Sequence, residues 1–396
     1  MAMDPLILAA NPGSSSRKYA LYTKDKCLVS LNFEHAEDGR IVCTMTTAGK
    51  STVLRSKITQ LDDVTEHVVP ILDNAGIAKR AHISGIGLRV VAPSRYFLQD
   101  HLLDAESVGH LYQLKDKAPL HVSVTLQEVK RLKQHYSDIP IALISDSAFH
   151  VTKPDWAWNY AIPLEDADRL EIKRFGYHGI SLAAVVKLLT KKHKLPDKLI
   201  VCHLGSGSSV SAILNGQSVD TTMGYSPLDG LMMATRSGSI DPAAVLAIKN
   251  ELKLDDIAME KYLNKSSGLL GISGSSPDLR DLLEAETTGD YKAGLALRMY
   301  VNGAQQAIAK MAASLGGVDG LVFTGTVGDR SFILRQRIIE NLSFMGLAVQ
   351  DSINKRVIEP AKLIRISPRK RLRPVYVITT DEAHEIARRA IICIGL

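Results

Sequence analysis

Two segments of this chain share one design: an apolar strand, a glycine-serine turn, and a second strand leading out. The first runs Leu6-Ile7-Leu8-Ala9-Ala10-Asn11-Pro12-Gly13-Ser14-Ser15-Ser16 into Lys18-Tyr19-Ala20-Leu21-Tyr22. The second runs Leu199-Ile200-Val201-Cys202-His203-Leu204-Gly205-Ser206-Gly207-Ser208-Ser209 into Val210-Ser211-Ala212-Ile213-Leu214. Glycine lets the backbone approach a ligand closely, while serine hydroxyls and successive backbone N–H groups suit phosphate oxygens. Because a strand follows each turn, neither is a Walker A loop, which needs Gly-Lys-Ser/Thr opening a helix, and neither opens a dinucleotide-binding helix. One such turn in each half predicts two duplicated domains with a phosphate cleft between them.

The rest of the 396 residues reads as α/β, with short strands alternating with amphipathic helical stretches. Asn215-Gly216, between runs 210–214 and 218–222, is a type I′ hairpin signal. Val122, Leu126, Val129 and Leu132 recur at helical spacing in 120–136, ahead of an apolar strand at 141–145. Residues 290–315 read as one long helix ending at Gly316-Gly317. A strand at 321–323 then enters a third glycine turn, Thr324-Gly325-Thr326-Val327-Gly328-Asp329, and after a strand at 375–379 the acidic pair Asp381-Glu382 opens a last helix through Arg389. The pattern breaks between Phe149 and Arg174, with Pro154, Trp156, Trp158 and Pro163, which places the domain junction there: 1–150 and 151–382.

Composition narrows the class. No apolar run approaches the ~18 residues of a membrane span, and Met1-Ala2-Met3-Asp4-Pro5 lacks the basic start of a secretory signal, so a cytoplasmic protein with no membrane partner is expected. Cys27, Cys43, Cys202 and Cys393 form no Cys-x-x-Cys pair and read as small buried apolar residues. The net charge of +6 suits an anionic substrate without requiring one. Arg369, Lys370, Arg371 and Arg373 have no aromatics interleaved and read as a solvated loop, so no nucleic-acid partner is expected.

Several polar residues sit where chemistry is usually placed. Asp146 directly follows a strand, where α/β proteins put ligand residues; it could bind Mg²⁺, orient a cation, or simply form a turn. Asn11 ends the first strand, where its amide could reach a metal-bound water or phosphate, or form an Asx turn. Arg89 and Arg236 lie in low-charge surroundings and carry planar donors suited to carboxylate or phosphoryl oxygens. His121, His178 and His203 show no metal-ligand spacing, and the glycines flanking His178 in Gly176-Tyr177-His178-Gly179 favour a position facing a ligand.

These residues resemble the acetate kinase family, which includes propionate kinases, within the actin-like superfamily of sugar and acyl kinases. The resemblance spans nearly the whole chain in order: Asn11-Pro12-Gly13-Ser14-Ser15-Ser16, Arg89-Val90-Val91, Ala118-Pro119-Leu120-His121, Asp146-Ser147-Ala148-Phe149-His150, Gly176-Tyr177-His178-Gly179, His203-Leu204-Gly205, Gly224-Tyr225-Ser226-Pro227-Leu228-Asp229-Gly230, Thr235-Arg236-Ser237-Gly238, Asp278-Leu279-Arg280-Asp281 and Phe323-Thr324-Gly325. It implies two duplicated actin-like (ribonuclease H-like) domains with mixed sheets flanked by helices and an active site in the interdomain cleft. The first domain would be completed by a helix over 383–396, and the second would serve nucleotide binding and dimerisation. It implies reversible in-line transfer of the γ-phosphoryl of ATP to acetate or another short-chain carboxylate, with Mg²⁺ or Mn²⁺, by a homodimer. Position by position, Arg89, Asp146, His178, Arg236 and His121 would be catalytic, and Arg89, Val91, Leu120, Tyr177 and Pro227 would bind the acid. Lys18, His203, Gly205, Ser206, Gly207, Ser208, Asp278, Leu279, Arg280, Gly325, Thr326, Val327 and Gly328 would bind the nucleotide, and Asn11 and Glu382 would lie at the metal.

Departures from the family pattern keep alternatives open. Leu88 stands where histidine is usual, Ala92-Pro93-Ser94 where His-Gly-Gly is usual, and Tyr177 in place of phenylalanine. A buried hydroxyl at Tyr177 calls for a bond inside the protein or a more polar substrate. Ser206 replaces an asparagine, Ala234 and Thr326 replace glycines, and Asp329-Arg330 replaces Glu-Asn, which would narrow the donor side. A kinase using a different acid, another nucleotide or pyrophosphate, and a non-catalytic nucleotide-binding relative, are the competing readings.

Overall fold

In the strand Cys27–His35, Val29, Leu31 and Phe33 are buried while Ser30 and Asn32 between them are less so, the period of two expected of a sheet with one well-covered face. The strand Leu6–Pro12 is different: Ile7, Leu8, Ala9 and Ala10 are all buried, which marks a central strand covered on both faces. These patterns come from a computed structural model that describes residues 4–13, 16–24, 26–36, 39–55, 58–116, 118–368 and 372–396, apart from the side chains of Arg55, Ala81, Pro119, Leu120 and His121. Arg369, Lys370 and Arg371 of the basic run, and Ser14 and Ser15 of the first turn, lie outside the described residues.

The chain divides into two units, one of residues 1–148, 179–184 and 381–396, the other of 149–178 and 185–380. The first holds β1 (Leu6–Pro12), β2 (Ser16–Tyr22), β3 (Cys27–His35), β4 (Ile41–Thr47), β5 (Lys50–Arg55), β6 (Ile83–Val90), β7 (His101–Leu102) and β8 (Ile141–Ser145), in the order β5-β4-β3-β2-β1-β6-β8-β7. The second holds β9 (Lys198–Leu204), β10 (Ser208–Leu214), β11 (Gln217–Thr221), β12 (Gly320–Thr324), β13 (Ile364–Arg365) and β14 (Val375–Val377), in the order β11-β10-β9-β12-β14-β13. Both sheets repeat one plan. An antiparallel hairpin, β1–β2 or β9–β10, is followed across the sheet by two parallel strands, β6 and β8 or β12 and β14, and a short antiparallel edge strand, β7 or β13, closes the row.

On one face of the first sheet, Leu8, Leu31, Phe33 and Leu88 pack with Val122 and Leu132 of the helix Pro119–His135. On the other, Ile7, Ala9, Ala142 and Ile144 pack with Ile386, Ala387 and Ala390 of the helix Glu382–Ile394. That helix comes close because Gly87 has no side chain: a Cβ there would stand 2.8 Å from Ile386 and 2.9 Å from Ala390. In the second unit, Ala304, Ile308 and Met311 of the helix Tyr291–Leu315 pack on Ile200, Cys202 and Phe323. Asp290 caps that helix through Ala293 N–H, and Gly316 ends it at φ +63°. Asn215 and Gly216 both have positive φ, as a type I′ turn requires.

The structure corrects four details of the sequence reading. Residues 324–329 are not an open turn, because Gly325–Arg330 is helical; the buried Arg335 guanidinium takes up the Gly328 carbonyl near its end, one of the acceptors a short helix leaves over. The last helix runs past Arg389 to Ile394, since Ala390 still faces the core. The irregular stretch after Phe149 contains two short helices, Asp155–Trp158 and Leu164–Arg169. Cys27 is exposed, because it opens a strand at its solvent end.

Candidate functional site

Candidate residues gather at two centres, one within each unit. In the first unit, β1, β6 and β8 lie side by side, and the residues at or just beyond their C-terminal ends are Asn11, Arg89 and Asp146. Arg89 NH2 donates to Asp146 Oδ2 at 2.7 Å and its NH1 donates to Asn11 Oδ1 at 3.1 Å. The Asn11 amide passes the chain on, donating from Nδ2 to Glu382 Oε2 at 3.3 Å. Asp146 is buried, and its Oδ1 and main-chain carbonyl accept from Ile180 N–H and Gly179 N–H. Burial opposes the Arg89 charge, yet Asp146 and Glu382 outweigh it and hold the guanidinium above its ordinary pKa. Arg89 Nε is buried without a hydrogen-bond partner in the structure, an orphan donor within this charged row. Val91 follows β6 and is half-buried, whereas Leu88 and Ala92, two departures from the family pattern, are buried in the core. Lys18 is exposed on β2. The side chains of Leu120 and His121 lie outside the described residues.

The second centre is built on the Gly205–Ser209 turn. His178 precedes the helix Gly179–Lys191 in a left-handed conformation, φ 62° and ψ 18°, that a residue with a Cβ seldom adopts. Its Nδ1 lies 3.0 Å from Ser209 Oγ, and its ring stacks on His203 of β9 at 4.1 Å between centroids. A Cβ on Gly207 would stand 3.3 Å from His178 Nε2 and 3.6 Å from Arg236 NH1, so both groups converge over this bare stretch of backbone. Arg236 NH1 also donates to the Pro227 carbonyl at 3.4 Å. Lys265 has its pKa lowered first by burial and then by the Arg236 charge, a sign of positive potential in this region.

Other second-unit candidates divide by environment. Ser208 is buried, its hydroxyl shared among Gly205 and Tyr300, so it shapes the turn from inside. Ser206 is exposed. The Thr326 hydroxyl would stand 3.3 Å from a Cβ on Gly205, and Gly325, at φ +79°, lies so close to β9 that a Cβ would meet the Leu204 carbonyl at 2.5 Å. Asp278 caps the helix Leu279–Thr287, and its carboxylate, paired with Arg280 at 2.6 Å, has its pKa lowered by that bond. Leu279 is a core residue, packed with Leu269 and Leu282 against Val327 of the Gly325–Arg330 helix, which also carries Gly328.

The Tyr177 hydroxyl donates to the Tyr225 carbonyl at 2.6 Å. The buried hydroxyl is thus satisfied within the protein, and of its two explanations the internal bond is the one found. Sequence reasoning missed His150 and Ser209. His150 is fully buried, with Nδ1 2.8 Å from Ser218 Oγ and Nε2 3.0 Å from the Tyr177 carbonyl, and so buttresses the strained 176–178 turn. Its place in Asp146-Ser147-Ala148-Phe149-His150 was the one available signal. Among the described residues no group of three His, Cys, Asp or Glu side chains converges to hold a metal. No helix there is long and apolar enough to cross a membrane.

Residues 6–388 match the model of the acetokinase family. The chain is 36% identical over 390 residues to acetate kinase of Clostridium novyi, covering 96% of each chain, and 35% identical over 395 residues to acetate kinase of Bacillus subtilis, covering 96% of this chain and 98% of that one. Among solved structures, a propionate kinase from Francisella tularensis superposes with a TM-score of 0.88 at 31% identity, covering 97% of this chain and 98% of the other. Porphyromonas gingivalis acetate kinase superposes with a TM-score of 0.86 at 29% identity, covering 98% and 100%. The duplicated mixed sheets are those of the actin-like fold.

Proposed function

This chain belongs to the acetokinase family and is a carboxylate kinase, and from that premise we propose that it transfers the γ-phosphoryl of ATP reversibly to acetate or another short-chain acid. The observation that carries this reading is the convergence of His178 Nε2 and Arg236 over Gly207. A carboxylate oxygen forms the new bond to γ-phosphorus as the bond to the β,γ-bridging oxygen breaks, giving acyl phosphate and ADP. Two anions must meet, so the barrier is electrostatic and fixed cations and donors lower it.

Each centre supplies part of that need. Arg89, kept charged by Asp146 and Glu382, holds the carboxylate, with Val91, Leu120, Tyr177 and Pro227 around the acyl chain. Arg236 neutralises the phosphoryl oxygens. When the Ser209 hydroxyl donates to His178 Nδ1, the neutral ring carries its proton on Nε2 and donates it toward the same oxygens. His121 helps fix the acid, and the first unit with its closing helix is the acyl half. His203, Gly205, Gly207, Asp278, Arg280, Gly325 and Gly328 serve the nucleotide, in the second unit. Glu382 and Asn11 offer one carboxylate and one amide oxygen, a sparse set suited to Mg²⁺ or Mn²⁺, which keeps several waters and takes its other ligands from phosphates. Such an ion, when bound, neutralises phosphate charge. A homodimer and a cytoplasmic location follow the expectations from the sequence.

A hydroxamate assay with Mg²⁺, ATP and acetate, propionate or butyrate tests the reading. Turnover is expected, and Arg236→Ala or His178→Ala should abolish it with the fold intact by circular dichroism. No turnover with any acid or donor would favour the non-catalytic relative. The Thr326 hydroxyl facing Gly205 motivates a second reading, in which the donor is another nucleotide or pyrophosphate. A donor panel decides, and ordinary tight ATP kinetics removes it.

A further inference from the structure

Within the second unit, the main chain of Tyr225 is held through both of its peptide groups. Its N–H donates to the Tyr160 hydroxyl at 2.8 Å, and its carbonyl accepts from the Tyr177 hydroxyl at 2.6 Å. Tyr160 is itself anchored, donating to Asp229 Oδ2 at 3.3 Å. Asp229 in turn accepts from Ser239 Oγ at 2.5 Å and Gly230 N–H at 2.9 Å, and faces Arg174 at 3.5 Å. Burial and the Asp229 carboxylate push the Tyr160 phenol up to about 12, so it remains a donor throughout the neutral range. There is no slack beside it: a Cβ on Gly224 would stand 2.1 Å from the Tyr160 hydroxyl and 2.3 Å from Asp229. Two residues beyond Tyr225, the Pro227 carbonyl receives Arg236.

We infer that Tyr160 and Tyr177 clamp the main chain of Tyr225, and that this clamp, by stiffening the wall from Tyr225 to Pro227, sets the length of acid the enzyme accepts. The inference rests on the reading of Tyr177 and Pro227 as the acyl pocket. An apolar pocket discriminates weakly against one extra methylene, and only as far as its wall refuses to yield. Phenylalanine at 177 would leave the Tyr225 carbonyl without this bond and the wall held through its N–H alone. With tyrosine there, the chain should favour the shortest acids. Tyr160 is a positioning residue: it acts through Tyr225.

The test compares kcat/KM for acetate, propionate and butyrate, with Mg²⁺ and ATP, in the full-length protein and in Tyr177→Phe, Tyr160→Phe and Pro227→Ala. Each tyrosine variant should raise the propionate-to-acetate and butyrate-to-acetate ratios about three- to tenfold, while KM for ATP stays within about twofold. A ratio taken within one preparation cancels the fraction of folded enzyme, so partial misfolding cannot mimic the result. If Pro227→Ala shifts the ratios and both tyrosine variants leave them unchanged, the clamp is overturned and the pocket stands. If no variant shifts them, the pocket assignment fails and the clamp with it.

Discussion

The two centres position their cations by different means. In the first unit Arg89 belongs to a row of side-chain bonds running from Glu382 through Asn11 to Asp146, with an acid at each end. In the second, backbone shape does more of the positioning. His178 sits at positive φ, Gly207 leaves room for two groups above it, and Gly268, at φ +64°, lets a helix end approach the backbone of Met233 and Arg236 so closely that a Cβ would meet the Met233 carbonyl at 2.2 Å. Three structural cations show the same contrast, although Lys173 of the second unit, buried against Asp168 at 2.8 Å, follows the pattern of the first. Arg17 in the first unit is buried against Asp62 at 2.7 Å, whereas in the second Arg335 lies among the carbonyls of Gly328, Asn354 and Val357, and Lys153 donates to the Arg174 carbonyl beneath the Trp158 ring. The first unit should therefore be sensitive to lost charge, and the second to added volume.

Beyond the loss of turnover already expected of Arg236→Ala and His178→Ala, removing charge from the first centre gives the largest effect. Arg89→Ala should lower kcat/KM about 100- to 1000-fold, and Asp146→Asn, which leaves the Glu382 carboxylate to support the Arg89 charge, about tenfold. Equal losses would show that Asp146 acts on substrate directly. Adding one methyl to each glycine turn comes next. Gly207→Ala intrudes between His178 and Arg236 and should cost about tenfold or more in kcat. At Gly13 a Cβ would also stand at 3.3 Å, but from the Ser16 carbonyl, with no catalytic side chain among the described residues within 4 Å, so Gly13→Ala should cost no more than about threefold. Similar kinetics for the two would break the contrast.

The smallest effect concerns Lys153, whose pKa is lowered from 10.5 to about 7 by burial and by Arg174. Between those values the unfolded chain binds more protons than the folded one, so this residue's contribution to stability rises with pH across that window; below about 7 both states are protonated and the burial penalty is at its full value. Relative to Lys153→Met, the wild-type Tm should thus gain about 2–4 °C between pH 7 and 9.5. A constant difference would mean that the carbonyl and the ring compensate the charge as well as a carboxylate would.

Much of the fold was legible because it is local. The helical spacing in 120–136, the Asn215-Gly216 turn and the long helical run of 290–315 each state their structure within a few residues. Arg89, Asp146 and His178 were legible because they stand at strand ends or beside glycines. Tyr160 was not: it lies in a stretch with no period, and its partners Tyr225 and Asp229 are more than sixty positions away. Ser209 looked like any serine of a phosphate turn, and only the folded chain shows its hydroxyl at His178. Residues 324–329 misled because two glycines suggest a turn, while the helix there is completed by Arg335, a residue outside the motif.

The helix Glu382–Ile394 carries a consequence for synthesis. It covers one face of the first sheet and brings Glu382 to Asn11, yet it is translated after every residue of the second unit. On the ribosome, Ile7, Ala9 and Ile144 must wait for Ile386 and Ala390 while the whole of the other unit emerges. A premature stop near residue 380 would leave the second sheet complete and the first one half clothed, a product for proteases to clear.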